Sequence, residues 1–181
     1  DYYMETRYAI EKTMKDVLSF IPKVTSEFAK ACGRTYNGLI EEYRLKDAER
    51  VIVAMGSVCG TIKEVVDQMR LKGKKVGLLK VTSFRPFPAQ QVYEALKDTP
   101  RVAVLDKSLS LGSYAPLCCE IKAAFFGKTK KPKVINSFIS GLGGRDITKD
   151  SIKEIFRLLS AKDRPAEFID LKPELLKEKY E

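Results

Sequence analysis

The chain has 181 residues, of which 44% are hydrophobic, and it carries a formal net charge of +9. This length and composition predict one globular domain with a well-filled core and short appendages, and they exclude the disordered class. No run of eighteen apolar residues and no leader-peptide pattern occurs, so the sequence predicts neither a membrane span nor a signal peptide, and we expect a cytoplasmic protein. Because the first residue is Asp1 rather than methionine, we also expect a processed chain or a fragment.

The first 35 residues have the spacing of an amphipathic helix. Apolar side chains recur every three or four positions between Met4 and Phe20, and the stripe continues beyond Pro22 as far as Gly33, a natural helix end. Pro22 leaves two alternatives open, a kink in one helix or the start of a second. We expect this segment to be an arm that docks on a neighbouring surface. The mixed, aromatic segment from Tyr36 to Leu45 predicts an edge strand.

A regular alternation of strands and helices begins at Val51. Uninterrupted apolar runs predict buried strands at Val51–Met55, Val76–Val81, Val102–Leu105 and Val134–Ile139. Helical spacing predicts helices after them, over about residues 60–72, Ala89–Lys97, Leu117–Phe126 and Thr148–Leu159. Parallel neighbours need right-handed crossovers, so the pattern predicts an open α/β sandwich. We divide the chain into an arm (1–35), an α/β domain (36–160) and a tail (161–181) that ends in a short helix at Pro173–Lys179.

The surplus of positive charge lies in the middle of the chain, because residues 51–150 hold 17 basic and 8 acidic side chains. Two lysine clusters immediately precede predicted strands, one at Lys72, Lys74 and Lys75, the other at Lys128, Lys130, Lys131 and Lys133. No basic motif interleaved with aromatics and no recognition helix accompanies them, so we expect no nucleic-acid partner. The clusters predict a solvated face or one that meets an acidic partner subunit.

The residue types exclude several kinds of catalytic centre. The chain has no histidine, and its four cysteines, Cys32, Cys59, Cys118 and Cys119, form no CxxC pair. We therefore expect no metal site, no cysteine-ligated cluster and no histidine-based acid/base site in this chain, and we interpret the cysteines as reduced residues in or near the core. Asp106 ends a predicted strand without a second carboxylate nearby, which favours a hydrogen-bonded loop anchor over an acid/base group.

A glycine-rich loop after the last predicted strand is the candidate anion site. It contains Gly141, Gly143, Gly144 and Arg145, but it lacks the GxGxxG spacing of a dinucleotide site. Backbone amides at a helix start, with the arginine, would suit a phosphate. The favoured alternative is that the glycines make tight turns, with Asp146 or Thr148 capping the helix. Ser57 follows the first parallel strand at the other usual ligand position, where turn chemistry is again the favoured interpretation.

The loop Phe84-Arg85-Pro86-Phe87-Pro88 is the candidate interface. Two aromatics beside an arginine on a proline-restricted backbone are typical of contact surfaces. In the alternative, Phe84 and Phe87 pack beneath the next helix, and the prolines set its start. The sequence does not decide between the two.

Taken in order, these segments resemble one family. VIVAMGS, VGLLKVTSFRPFP, VAVLDKSLSLGSYAPLCCEIKAAF and INSFISGLGGRDIT are similar to the transketolase C-terminal-like domain in the alpha chain of 2-oxoacid:ferredoxin oxidoreductases, above all the pyruvate:ferredoxin enzymes (pyruvate synthase). The arm and EEYRLKDAE resemble the segment that joins this domain to the preceding one. The resemblance implies a three-layer sandwich around a five-stranded sheet of order 1-3-2-4-5 with strand 1 antiparallel.

The resemblance also implies a function for the whole complex. Such an enzyme converts pyruvate, coenzyme A and oxidised ferredoxin to acetyl-CoA, CO2 and reduced ferredoxin, with thiamine diphosphate, Mg²⁺ and [4Fe-4S] clusters. This chain matches none of the parts that hold those cofactors, so the resemblance implies an architectural domain, inactive alone, whose partners are an upstream catalytic domain, beta-, gamma- and delta-type chains and, through the complex, ferredoxin. The alternatives are a regulatory phosphate- or nucleotide-binding module and a flavodoxin-like electron carrier, which would need flavin.

Overall fold

The computed structural model describes residues 2–36, 38–159, 162 and 165–176. The strands are β1 (Ile40–Tyr43), β2 (Arg50–Ala54), β3 (Val76–Val81), β4 (Arg101–Asp106), β5 (Val134–Ile139) and β6 (Glu167–Phe168). The helices are α1 (Tyr3–Cys32), α2 (Val58–Leu71), α3 (Ala89–Leu96), α4 (Pro116–Ala124) and α5 (Lys149–Leu158), and a 3-10 turn lies at Leu142–Gly144. The predicted elements are thus present within a few residues of their predicted bounds.

The strands form one mixed sheet in the order β1-β3-β2-β4-β5-β6. β1 runs antiparallel to β3, and all the other neighbours are parallel. The predicted order of the first five strands and the antiparallel first strand are confirmed. The sheet has six strands rather than the predicted five, because Glu167 and Phe168 of the tail pair with Phe138 and Ile139 of β5.

The core consists of two apolar layers, one on each face of the sheet. Successive residues of a strand point to opposite faces, so Ile52 joins the layer under α2 and α5, whereas Val51 and Val53 join the layer under α3 and α4. All three side chains are fully buried. This two-sided burial explains why the central strands are continuous apolar runs in the sequence.

The arm is a single helix. α1 runs through Pro22 for 30 residues and ends at Gly33, whose left-handed backbone (φ 66°) closes the last turn. None of the residues of α1 is buried, although Met14, Val17 and Ile21 on its apolar stripe are half-buried. Of the two alternatives at Pro22, the single helix is the one present, and its apolar face is at most half-buried by the described part of the chain.

Both lysine clusters lie at the amino edge of the sheet, since β3 begins at Val76 and β5 at Val134. In the tail, residues 174–176 begin a helical turn, and the rest of the helix predicted at Pro173–Lys179 lies outside the described residues. The division into arm, domain and tail stays a prediction. Within the described residues, no helix is both long enough and apolar enough to cross a membrane.

Candidate functional site

Ligands of open parallel sheets usually bind at the carboxyl ends of the strands, where the strand order reverses. In this sheet the reversal lies between β2, whose chain goes on to β3 on one side, and β4 on the other. Ser57 follows β2 at this point, is exposed, and begins α2 without a side-chain capping bond. The glycine loop follows β5, two strands away, so the two predicted anion-binding segments are separated by roughly 10 Å of sheet.

Asp106, at the end of β4, holds the start of α4. Its carboxylate accepts hydrogen bonds from the backbone N–H groups of Leu117 and Cys118, both at 3.2 Å, and it is 6% exposed. Burial raises the pKa of this carboxyl, although the two backbone hydrogen bonds act in the opposite direction. The predicted loop anchor is confirmed. Hydrogen bonds within the domain occupy both carboxylate oxygens.

The glycine loop is closely packed around Gly141. This residue has φ 76°, and a Cβ atom there would come within 2.9 Å of side-chain carbons of Ile147 and Lys107. Gly143 also has a positive φ (64°), but nothing lies within 4 Å of the position of its Cβ. Gly141 and Gly143 therefore both allow the chain to turn, and Gly141 also allows close packing against its neighbours.

The loop does not lead straight into a helix. α5 begins at Lys149, and Thr148 caps it: the Thr148 hydroxyl accepts from the Ser151 N–H at 3.1 Å, and the Ser151 hydroxyl accepts from the Thr148 N–H at 3.1 Å. Of the two predicted caps, Thr148 is confirmed. Gly143 and Gly144 therefore precede the helix start by several residues, which removes the helix amides from the proposed phosphate cradle.

Arg145 is used to hold the tail. Its guanidinium donates a hydrogen bond to the backbone carbonyl of Asp170, while the Ser140 hydroxyl donates to the Asp170 carboxylate at 3.4 Å. A small cavity of about 220 Å³ lies between this loop and Phe168, Ile169 and Leu171. Anion binding at Ser57 and at Gly141–Arg145 stays a prediction.

The phenylalanines of the candidate interface are half-buried. Phe84 and Phe87 meet edge to face, with ring centroids 6.4 Å apart, and pack against the core layer under α3 and α4. Arg85 is exposed, stacks over the Phe84 ring at 4.3 Å and pairs with Glu120 at 2.7 Å. Each ring is partly covered by the core layer and partly exposed, so the structure supports in part both the contact surface and the packing beneath α3. The interface stays a prediction.

The two buried thiols are poor nucleophiles. Burial raises the pKa of Cys59 and of Cys118 to about 11, so both stay protonated and weakly nucleophilic near neutral pH. Cys32 and Cys119 are exposed rather than in the core. In the part of the chain that the structure covers, no group of three or more His, Cys, Asp or Glu residues is placed to hold a metal ion.

A cleft that the sequence did not predict lies between α1 and the β1 edge of the sheet. It has a volume of about 650 Å³. Its charged wall is a triad in which Glu41 of β1 pairs with both Lys63 of α2 and Lys80 of β3. These lysines lower the pKa of Glu41, the hydrogen bond from Lys63 being the largest cause. Phe28 and Tyr36 form an apolar wall.

The triad forms because β1 pairs with β3 in the folded sheet. Glu41 and Lys80 occupy directly opposite positions in the antiparallel register. Opposite charges at such positions attract across the strands, but the register cannot be derived from the sequence of either strand alone. From the sequence alone, Glu41, Lys63 and Lys80 are indistinguishable from ordinary surface charges.

Comparison with known proteins places the chain in a family. Residues 48–152 match the family described as pyruvate:ferredoxin oxidoreductase core domain II. The chain is 47% identical, over 96% of its length, to a pyruvate synthase subunit PorA from Methanothermobacter thermautotrophicus, of which it covers 44%. It is 50% identical over 86% of its length to the subunit of the same name from Methanocaldococcus jannaschii, of which it covers 39%. The chain thus spans less than half the length of these relatives.

A solved structure shares the fold. The 2-oxoglutarate:ferredoxin oxidoreductase from Magnetococcus marinus, with 2-oxoglutarate, coenzyme A and succinyl-CoA bound, superposes with a TM-score of 0.53 at 19% identity. The match covers 69% of this chain and 20% of that one. At this identity the likeness concerns the fold.

Proposed function

The chain belongs to the family of pyruvate:ferredoxin oxidoreductase core domain II, and from that membership we propose that it is the second core domain of the alpha-type subunit of a 2-oxoacid:ferredoxin oxidoreductase. The proposed complex converts pyruvate, coenzyme A and oxidised ferredoxin to acetyl-CoA, CO2 and reduced ferredoxin. One observation carries the proposal: 47% identity to a pyruvate synthase subunit extends over 96% of the chain, the arm included.

The proposed role of this domain is architectural. A sheet covered on both faces by helices is a rigid body, and α1 leaves it as a 30-residue helix with no buried side chain. An apolar stripe on such a helix gains stability only when another surface covers it. We therefore propose that the part of α1 before Pro22 packs against the catalytic domain of the same subunit and fixes the position of the sandwich beside it.

The chemistry of the complex is proposed to lie outside these residues. Thiamine diphosphate, Mg²⁺ and [4Fe-4S] clusters need phosphate-binding, oxygen-rich or cysteine-rich sites. The described residues offer no group of His, Cys, Asp or Glu that would hold a metal ion, and Asp106 is hydrogen-bonded within its own fold. We derive no catalytic step from this chain, and its proposed partners are the other domains and subunits, with ferredoxin bound elsewhere in the complex.

The direct test is an activity assay with pyruvate, coenzyme A and a dye acceptor. The complete complex, expressed with and without this domain, should reduce the dye only when the domain is present. The purified domain alone should be inactive. Pyruvate oxidation by the isolated domain, or full activity of the complex without it, would contradict the proposal.

The rival function is a regulatory module that binds phosphate or a nucleotide near Ser57 and Gly141–Arg145. Its support is the cluster of glycines and one arginine at the carboxyl edge of the sheet. Calorimetry with phosphate, nucleotides and coenzyme A separates the two functions. Saturable binding that disappears in Arg145→Ala would favour the rival, whereas absence of binding leaves the architectural role.

A further inference from the structure

The cleft beside α1 combines features of a small-molecule site. Its volume of about 650 Å³ falls within the range of ligand pockets, roughly 300–1,000 Å³. Three separate parts of the chain form its walls: α1, the residues Thr35, Tyr36 and Gly38, and the sheet edge with α2. Such a cleft has an apolar side and a polar side, so a bound molecule would be oriented as well as held.

The polar wall carries one positive charge in excess. Glu41 is one carboxylate between two ammonium groups, and its side chain is 18% exposed, compared with 33% for Lys63 and for Lys80. Lys63 is the closer partner of Glu41, whereas Lys80 lies 3.5 Å from its second oxygen. Lys80 therefore retains hydrogen-bond donors that can turn towards the cleft, since an ammonium group has three.

The opposite wall is apolar and aromatic. The rings of Phe28 and Tyr36 meet edge to face with their centroids 5.3 Å apart. Phe28 is 47% and Tyr36 52% exposed, and Val24, 42% exposed, lies one helical turn before Phe28. These side chains offer an apolar surface, made of one ring face and one ring edge, to a molecule that enters from solvent.

We propose that this cleft binds a small organic monocarboxylate with an aromatic or branched apolar body. The carboxylate accepts hydrogen bonds from Lys80 and Lys63, and the apolar body lies against Phe28 and Tyr36. A single surplus positive charge matches a monoanion, whereas a phosphate dianion would leave a negative charge unbalanced in a partly buried site. The site lies at the β1 edge of the sheet, away from the glycine loop after β5, and is independent of the proposed function of the complex.

The test uses phenylacetate and its neutral analogue phenylacetamide, titrated calorimetrically into the purified protein in the assembly in which it occurs. Phenylacetate should bind saturably, and the amide at least about tenfold more weakly, because the amide loses the charge-assisted hydrogen bonds. Phenyl phosphate should bind more weakly than phenylacetate. Equal binding of the acid and the amide, or no saturation by about 10 mM phenylacetate, would overturn the proposal.

Two variants locate the site. Lys80→Gln should weaken phenylacetate about tenfold, and so should Tyr36→Ala, a change at a half-exposed position that leaves the core intact. Lys75→Gln is the matched control, since Lys75 is an exposed lysine at the amino edge that pairs with Glu49 at 3.4 Å. Unchanged affinity in both site variants would show that phenylacetate binds elsewhere and would also refute the proposal.

Discussion

Asp106 carries a carboxylate that is nearly buried and is held by two backbone N–H groups at the start of α4. Its desolvation is the largest influence on its pKa, which is raised. In the folded state the proton is therefore bound more tightly than in the unfolded chain. The free energy of unfolding should consequently gain a contribution at acid pH that is lost as pH rises from the ordinary pKa of an aspartate through the raised one.

The substitution Asp106→Asn tests both the hydrogen bonds to the start of α4 and the raised pKa of the carboxyl. The amide keeps one acceptor for the α4 amides and cannot ionise, so we expect a loss of about 1–3 kcal/mol at acid pH. This loss should become smaller towards neutral pH, because the wild type gives up the contribution of its protonated carboxyl as pH rises. Urea denaturation of both proteins between about pH 4 and pH 7 should give a stability difference that depends on pH, with the wild type losing more free energy than the variant as pH rises. Parallel pH profiles would contradict the raised pKa.

Single residues were predictable where their neighbours in sequence decide their role. Thr148 caps α5 because its hydroxyl meets an amide three residues on, and the Asp106 anchor follows from a lone acid at a strand end. Glu41 and Lys80 meet only through the register of β1 and β3, which depends on the whole sheet. Their charged wall was therefore missed.

The glycine loop offers a matched pair of substitutions at the scale of one element. Gly141 and Gly143 both have left-handed backbones, but only Gly141 faces atoms that would collide with a Cβ, at 2.9 Å. Gly143→Ala should cost about 1 kcal/mol from the backbone alone, and Gly141→Ala should cost more because Ile147 and Lys107 must shift. Equal losses in urea denaturation would show that close packing is not the reason for Gly141.

β6 is a strand of two residues followed by a buried anchor. Ile169 is 6% exposed and its N–H donates to the Ile139 carbonyl at 2.9 Å, whereas Leu171 is 48% exposed. Ile169→Ala should destabilise the fold by about 2 kcal/mol or more, and Leu171→Ala should stay within about 0.5 kcal/mol. Both values follow from chemical denaturation, and similar losses would mean that the tail is not anchored at Ile169.

Elements were predicted well where their pattern is long, as in β2 to β5 and the helices between them. β6 was missed because two residues give no periodicity, and only the neighbouring β5 edge makes them a strand. The sequence does not decide the course of α1 at Pro22, because a proline removes one helical hydrogen bond but does not by itself end a helix whose neighbouring turns are regular.

At the scale of the whole molecule, α1 and the sandwich differ in how far their apolar side chains are buried. The sandwich contains both core layers, while no side chain of α1 is buried. Changes on the apolar stripe of α1 should therefore leave the folding of the sandwich almost untouched and act on assembly with other domains.

Val17→Asp and Ser19→Asp separate these effects. Val17 is on the half-buried stripe and Ser19 is exposed on the opposite side of the helix, so both variants carry the same helix-propensity cost of an aspartate but only Val17→Asp disrupts docking. We expect Val17→Asp to reduce recovery of the co-expressed complex on size-exclusion chromatography. The free energy of unfolding of the sandwich should change by less than about 0.5 kcal/mol in either variant. Equal assembly of the two would contradict docking through the stripe.

The two edge strands of the sheet, β1 and β6, limit self-association. β1 is four residues long and carries Glu41 and Glu42, and β6 is two residues long and gives way to Asp170, whose positive φ of 61° turns the chain aside. Edge strands that are short, charged or ended by a turn do not readily pair with a strand of another copy. Removal of the segment after α5 would uncover the backbone of β5, with its apolar Phe138 and Ile139, and the shortened protein should then form β-rich aggregates more readily than the intact one.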